Sequence, residues 1–461
     1  GSFTMRATGV GADTMLAHII RMVEEAQGSK APIQRLADKV ASVFVPIVFV
    51  IAFVTFAVWY FLPNDASFSR ALINFVSVLV IACPCALGLA TPTAIMVGTG
   101  LGAQSGILIK GGEALEKIHK LTVIVFDKTG TLTRGEPEVT DVISAAGFDE
   151  RQVLAVATAL EKTSEHSLAQ AILQRAQTDQ IIPAPAENFL ALSGLGARGF
   201  VDGKLCLVGN QMLMESQDVS AALFHKQAAA WSGEGKTVVY VALEKTIMGL
   251  IALADVPKAS AKQAVKSLKS RGLKVAMVTG DNQGTAKSVA VQLGIDYVMA
   301  EVLPGKKADE IRKLQTEGQV VAMVGDGIND APALAQADVG IAIGSGTDVA
   351  IEAADITLIR DDLTGVPEAI LLSASTMRVI KQNLFWAFIY NIIGIPIAAG
   401  VLYPFFGILL NPEFAAAAMA FSSVSVVSNS LRLKRVWSKE QGTRSKAKGV
   451  TNFGHCAPIL I

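Results

Sequence analysis

The residues best suited to chemistry are the seven of Asp127-Lys128-Thr129-Gly130-Thr131-Leu132-Thr133. They follow the apolar run Val123-Ile124-Val125-Phe126, which predicts a strand that delivers Asp127 to its C-terminal end. In open α/β sheets ligands collect at that end. A carboxylate there can attack a phosphoryl group, forming an aspartyl phosphate that splits one hard step into two. Threonine hydroxyls and the backbone N–H groups around Gly130 are donors for the transferring phosphate. A single Asp on a loop usually caps a turn. The whole run after such a strand favours a nucleophile, with Lys128 and Thr129 beside it.

Three further segments carry the same chemistry. Thr279-Gly280-Asp281 follows the strand-like Val275–Val278 and offers a hydroxyl and backbone donors to phosphate. Gly325-Asp326-Gly327-Ile328-Asn329-Asp330 follows Val320–Val324 and sets Asp326 and Asp330 beside the nucleophile. With Asp127 and Thr129 they form a candidate site for Mg²⁺, a hard cation that also bridges phosphate oxygens. Lys307, in Pro304-Gly305-Lys306-Lys307, can neutralise charge between phosphate and nucleophile.

A second kind of chemistry sits in Cys83-Pro84-Cys85, inside an apolar stretch. Residues two apart point about 200° apart on an ideal helix. Pro84 removes an N–H and unwinds the turn, so both sulfurs can converge on one ion. Thiolates favour Cu(I) or a thiophilic divalent ion. They also supply negative charge where a bare cation is costly. The plainer reading, that the cysteines only pack a helix, does not explain the proline between them.

The elements that must hold these residues follow from hydropathy. Charged residues are 17% of the 461, and the mean hydropathy is +0.45. Four stretches are apolar enough to span a bilayer, which needs about 20 residues: Val43–Leu62, Ala71–Ala90, Leu384–Tyr403 and Phe405–Val427. Asn411, Pro412 and Glu413 interrupt the last, whose membrane part is expected from Phe414. Lys30, Arg35 and Lys39 precede the first span, Arg378 and Lys381 the third, and Arg432, Lys434 and Arg435 follow the fourth. The positive-inside rule then puts both termini and the large middle segment in the cytoplasm. Forty basic residues balance forty acidic ones, which argues against a nucleic-acid partner. The four cysteines, Cys83, Cys85, Cys206 and Cys456, imply no disulfide framework.

Between the spans, strands ending in glycine alternate with helical patterns, which predicts a doubly wound parallel sheet. Residues 138–248 interrupt it as an α+β insert. Gly194–Gly199 fits G-x-G-x-x-G but leads into strand-like residues, which excludes a dinucleotide fold. The expected order is the end of a preceding domain and a linker (1–42), membrane helices with the thiol motif (43–106), phosphorylation domain (107–137), insert (138–248), phosphorylation domain again (249–380), two membrane helices (381–433) and a basic tail without assigned structure (434–461).

Together these motifs resemble the heavy-metal P-type ATPases, over roughly residues 1–435. The resemblance implies a haloacid-dehalogenase-like phosphorylation domain and an inserted ATP-binding domain within an α-helical transmembrane bundle. Glu161, Ser164-Glu165-His166, Gly194-Leu195-Gly196 and Gly209-Asn210 match the nucleotide-contact positions of that family. Ser167 stands where the family usually has proline after the histidine. Asn383, Tyr390-Asn391 and Pro396, with Pro412, Met419, Ser422-Ser423 and Asn429, resemble the copper(I)-exporting subgroup. That likeness implies Cys83, Cys85, Tyr390, Asn391, Met419 and Ser423 as ligands of transported Cu⁺. It further implies ATP and Mg²⁺, membrane lipid as surroundings, and a bacterial cytoplasmic membrane. Zinc exporters usually carry a carboxylate in the last span, and Phe414–Val427 has none.

Family members begin with further membrane helices and an actuator domain carrying a Thr-Gly-Glu loop, whose glutamate positions the hydrolytic water. No such tripeptide occurs in this sequence, nor an N-terminal CxxC module. The expectation is a core that accepts phosphate but needs the missing part in trans for turnover; a copper chaperone is a further expected partner. Export of Ag(I), Zn(II) or Cd(II), or metal and nucleotide binding without transport, are the alternatives.

Overall fold

The computed structural model describes residues 31–61, 67–162, 164, 167–192, 195–327, 330–344 and 348–447. The elements expected before Ala31 and after Ala447 lie outside these residues. Two compact units emerge. One comprises the chain up to Lys120, Asp355–Arg360 and the chain from Gly365 on; the other comprises Leu121–Ala354 and Asp361–Thr364.

The first unit is a helical bundle of Pro32–Phe61, Phe68–Ile81, Cys85–Gln104, Gly365–Ala398 and Pro412–Ala447. A short antiparallel strand pair, Ile107–Ile109 with Ile356–Leu358, accompanies it. Among the described residues, three helical stretches are long and apolar enough to cross a membrane: Pro32–Phe61, Phe68–Gln104 and Pro412–Lys439. Val43, Val50, Phe53 and Phe61 lie 59% or more exposed, as suits a surface that lipid covers.

The span expected over Leu384–Tyr403 falls on the second half of the helix Gly365–Ala398 and the turn that follows it. That helix packs into the bundle, with Asn383, Ala387, Asn391, Gly394 and Ile395 buried. The final helix starts at Pro412 and runs to Ala447, further than the tail's assignment. Lys, Glu, Gln, Arg and Ala in that stretch are good helix formers.

Polar side chains clasp the bundle. Asn383 Nδ2 donates to Ala90 O at 3.1 Å and Ser430 Oγ at 2.9 Å, and Asn429 Nδ2 donates to Asn383 Oδ1 at 2.9 Å. Trp59 Nε1 donates to Ala399 O at 2.9 Å. In a bilayer such bonds replace the hydrophobic drive between helices.

The second unit holds two sheets. Five parallel strands lie in the order Val339–Ile343, Val321–Gly325, Val123–Asp127, Lys274–Val278, Tyr297–Met299. Their Val- and Ile-rich runs are buried on both faces, as a covered parallel sheet requires. Val123–Asp127 is the central strand, so Asp127 emerges in the middle of the sheet's C-terminal edge.

The other sheet is antiparallel, with six strands in the order Thr133–Ser144, Thr246–Pro257, Thr237–Leu243, Lys204–Gly209, Gly196–Val201, Ala186–Leu192. Period-two alternation sorts its faces. Val239 and Val241 pack with Val153, Leu154 and Ile172, while Tyr240 and Ala242 pack with Leu213, Met214 and Trp231. Helices therefore cover both sides. The insert boundaries expected at 138 and 248 fall inside the paired strands Thr133–Ser144 and Thr246–Pro257, which carry both chain crossings.

Candidate active site

Asp127 is 5% exposed at the tip of the central strand. Lys307 Nζ lies 2.6 Å from Asp127 Oδ1 and 2.7 Å from Asp330 Oδ1. One ligand oxygen from each of Asp127, Asp326 and Asp330 falls within 4.8 Å of the others. Three carboxylates so close repel one another. Burial first, then the charge of Asp330, pushes Asp127 up to about 7, against the opposing pull of Lys307. Asp326 is raised by burial and then by Asp330. Burial pulls Lys307 down, but Asp127 and Asp330 outweigh it and hold its pKa above the ordinary value. The donor chemistry, hard carboxylate oxygens with excess negative charge, fits Mg²⁺.

Gly130 shapes this cluster. Its φ is +75°, and a Cβ there would come 2.2 Å from Asp326 Oδ2. Glycine is required both by the backbone and by the approach of that carboxylate. Thr131 is fully buried with its Oγ1 unpartnered among the described residues. Thr129 is exposed on the same loop. Thr279 is buried and its Oγ1 accepts from Asp281 N at 3.1 Å.

Lys128 is buried, but its partners are Asp281 and, at 3.9 Å, Asp255. Its ammonium therefore ties the loop to the neighbouring segments. Asp255 and Lys258 join this loop, and the sequence did not single them out. Asp255 accepts from Thr133 Oγ1 at 2.5 Å and Gly135 N at 2.9 Å, and Lys258 Nζ donates to Gly130 O at 2.5 Å. Lys258 also pairs with Asp361 at 2.5 Å. The available signal was Asp255-Val-Pro-Lys258 at the end of an apolar strand, where charges have no structural need to cluster. A cleft of about 480 Å³ beside these residues is lined by Lys128, Asp255, Asp281, Asn282, Glu234 and Thr285.

A second cavity of about 480 Å³ lies in the inserted sheet, lined by Glu161, Ser164, Gly196, Gly209 and Asn210 among apolar residues. Six of the expected nucleotide positions, Leu195 included, thus share one cavity; Glu165, His166 and Gly194 lie outside the described residues. The glycines also meet a packing demand. Gly196 and Gly209 face each other across the strand pair, and a Cβ on Gly196 would meet Val208 O at 2.2 Å. Close strand approach explains them without a ligand. The Asn210 side chain accepts from Leu213 N at 3.0 Å, capping the helix Gln211–Ser216.

In the bundle unit, the helix breaks at Ala82–Pro84, and the Cys83 and Cys85 sulfurs converge and are joined as a disulfide. The bond closes within one turn and links no distant parts of the chain, so it builds no disulfide framework. Pro84 interrupts the helix and turns two opposed side chains toward one point. Cys83 packs against a cluster containing Ile81, Ala82 and Met419. Asn391 is 3% exposed with Oδ1 unpartnered, and Ser422 is fully buried with Oγ unpartnered, among the described residues. Of the serine pair, Ser422 is therefore the buried one with an unmet hydroxyl, whereas Ser423 is half-buried. The Tyr390 ring packs at a tilt on Trp386, centroids 6.5 Å apart.

Residues 121–338 match the haloacid dehalogenase-like hydrolase family. Copper-transporting ATPase 1 of Rhizobium meliloti (strain 1021) is 53% identical over 436 residues, covering 95% of this chain and 53% of that protein. Copper-exporting P-type ATPase of Staphylococcus aureus (strain USA300) is 53% identical over 437 residues, with the same coverage. This chain spans about half the length of these curated relatives. A solved zinc-transporting PIB-type ATPase in its E2.Pi state aligns with a TM-score of 0.77 at 36% identity, covering 92% of this chain and 68% of that one. On this likeness in sequence and fold, the chain belongs to the PIB-type, heavy-metal branch of the P-type ATPases.

Proposed function

We propose that this chain is the catalytic and membrane core of a copper(I)-exporting pump that works through an aspartyl phosphate on Asp127. The observation that carries the reading is the buried Asp127 on the central strand tip, gripped by Lys307 and flanked by Asp326 and Asp330. An ionised Asp127 oxygen attacks the γ-phosphorus of ATP. The bond from that phosphorus to the β,γ-bridging oxygen breaks, and its electron pair leaves with ADP. Water later attacks the same phosphorus, and the bond to Asp127 breaks to give inorganic phosphate. Lys307 offsets the charge of nucleophile and phosphate as they approach. Asp127, Asp326 and Asp330 would hold Mg²⁺, which when bound neutralises charge on the phosphate oxygens. Thr131 and Thr279 supply hydroxyl donors, and the cavity around Glu161 and Asn210 receives the nucleotide.

Cu⁺ is the cargo. Reduced Cys83 and Cys85 with Met419 offer soft sulfur donors, which suit Cu(I) over harder ions. The unmet polar atoms of Asn391 and Ser422 add neutral oxygen donors nearby on their helices. Relatives at 53% identity carry copper in their names, which supports this choice over zinc, named for the solved structure. Phosphorylation of the reduced chain from MgATP, measured with Cu(I), Ag(I), Zn(II) and Cd(II), tests it. Stimulation by Cu(I) and Ag(I) is expected; stimulation by Zn(II) alone, abolished with Cys83→Ser, would assign a zinc pump instead.

A further inference from the structure

We propose that the bundle unit carries a headgroup site for an anionic phospholipid, built by His119, Arg378 and Lys381 above the exposed aromatic pair Phe385 and Trp386. The inference rests on the membrane location of the chain and stands apart from the ion it carries.

Four observations support it. A cleft of about 400 Å³ is lined by His119, Arg378, Lys381, Gln382, Phe385 and Trp386. Positions 378, 381, 382, 385 and 386 share one face of the helix Gly365–Ala398, spaced by three, four and seven residues. Along that face the cations come first and the aromatics follow, with Phe385 59% and Trp386 50% exposed. This is the sequence of chemistries from headgroup layer to acyl region, where Trp marks the interface. Beyond it, Ile392 and Ile393 remain 60% and 56% exposed on the same helix.

Charge is unbalanced in the cleft. Among the described residues, neither Arg378 nor Lys381 has an ion pair or a hydrogen bond through its side chain. Glu116, the acid that acts on His119, is engaged by Lys120 at 2.9 Å and by Ile33 N at 2.9 Å. The cations also act on the imidazole. Burial, and then the charges of Lys381, Lys120 and Arg378, hold His119 below its ordinary value. A neutral His119 can donate one hydrogen bond to a phosphate oxygen while Arg378 offers its paired N–H groups. A structural role leaves two unpaired cations beside exposed aromatics unexplained; a lipid phosphate with its chains along Phe385 and Trp386 satisfies both.

The test uses the purified chain in detergent, titrated with dioleoylphosphatidylglycerol or dioleoylphosphatidylcholine and read by native mass spectrometry. The expected result is preferential retention of phosphatidylglycerol, reduced roughly thirty-fold in Arg378→Gln/Lys381→Gln, from two basic contacts. The conservative Lys381→Arg retains the preference. An unchanged phosphatidylglycerol preference in the double variant overturns the site. Should that variant not be monodisperse, the wild type decides through quenching of Trp386 by phosphatidylglycerol with brominated chains, referenced to Trp386→Phe. Equal quenching in the two proteins contradicts the proposal. Inorganic phosphate in millimolar excess should fail to displace the lipid; full displacement would mean a free phosphate site instead.

Discussion

The electrostatics of the active site turn on a few atoms. Asp127 sits at about 7 because burial and Asp330 oppose its charge. A carboxyl raised in the folded state contributes stability below the unfolded carboxylate range and loses it as pH rises through the folded pKa. The cation-free protein should therefore melt at lower temperature as pH climbs from about 4 to about 7. Mg²⁺ should raise the melting temperature most at the upper end of that window, and the pH dependence should weaken in Asp127→Asn. Scanning calorimetry with and without Mg²⁺ checks both. Lys307→Met leaves Asp127 and Asp330 without their shared cation, and should destabilise the second unit by about 3–5 kcal/mol. It should recover in part at low pH, where the carboxyls protonate. A melting temperature unchanged by Lys307→Met would show that the pair is not formed.

At the scale of elements, the residues that read as chemistry also do structural work. Asn383 and Asn429 look like family markers in sequence, yet in the bundle they bond Cys85–Gln104 to the two last helices. Asn383→Leu should lower bundle stability by about 0.6–1.7 kcal/mol, the usual range for one polar clasp in a membrane. Unfolding in mixed micelles measures this. The strand ending in Asp127 and the carboxylates of Asp326 and Asp330 were legible, because a short apolar run before a polar turn has one reading in a parallel sheet. Asp255 and Lys258 were not, since their roles depend on bonds to Thr133, Gly135 and Gly130 that only the fold brings near. The break at Pro84 was legible from proline chemistry. The close approach of Gly196 and Gly209 across their strand pair was not legible, because it leaves no local trace in the sequence. The helix end at Ala398, five residues before the end of the apolar run at Tyr403, was not legible, since the run stays apolar through Val401 and Leu402.

At the scale of the molecule, the account makes this chain a phosphate acceptor with an ion passage. The measurement that tests the central claim is label transfer from γ-labelled ATP to the purified, reduced chain with Mg²⁺ and Cu(I), beside Asp127→Asn. The account predicts an acid-stable, hydroxylamine-sensitive phosphoprotein that is absent from the variant. A folded, nucleotide-binding chain that takes up no label, or labels equally in Asp127→Asn, would contradict it.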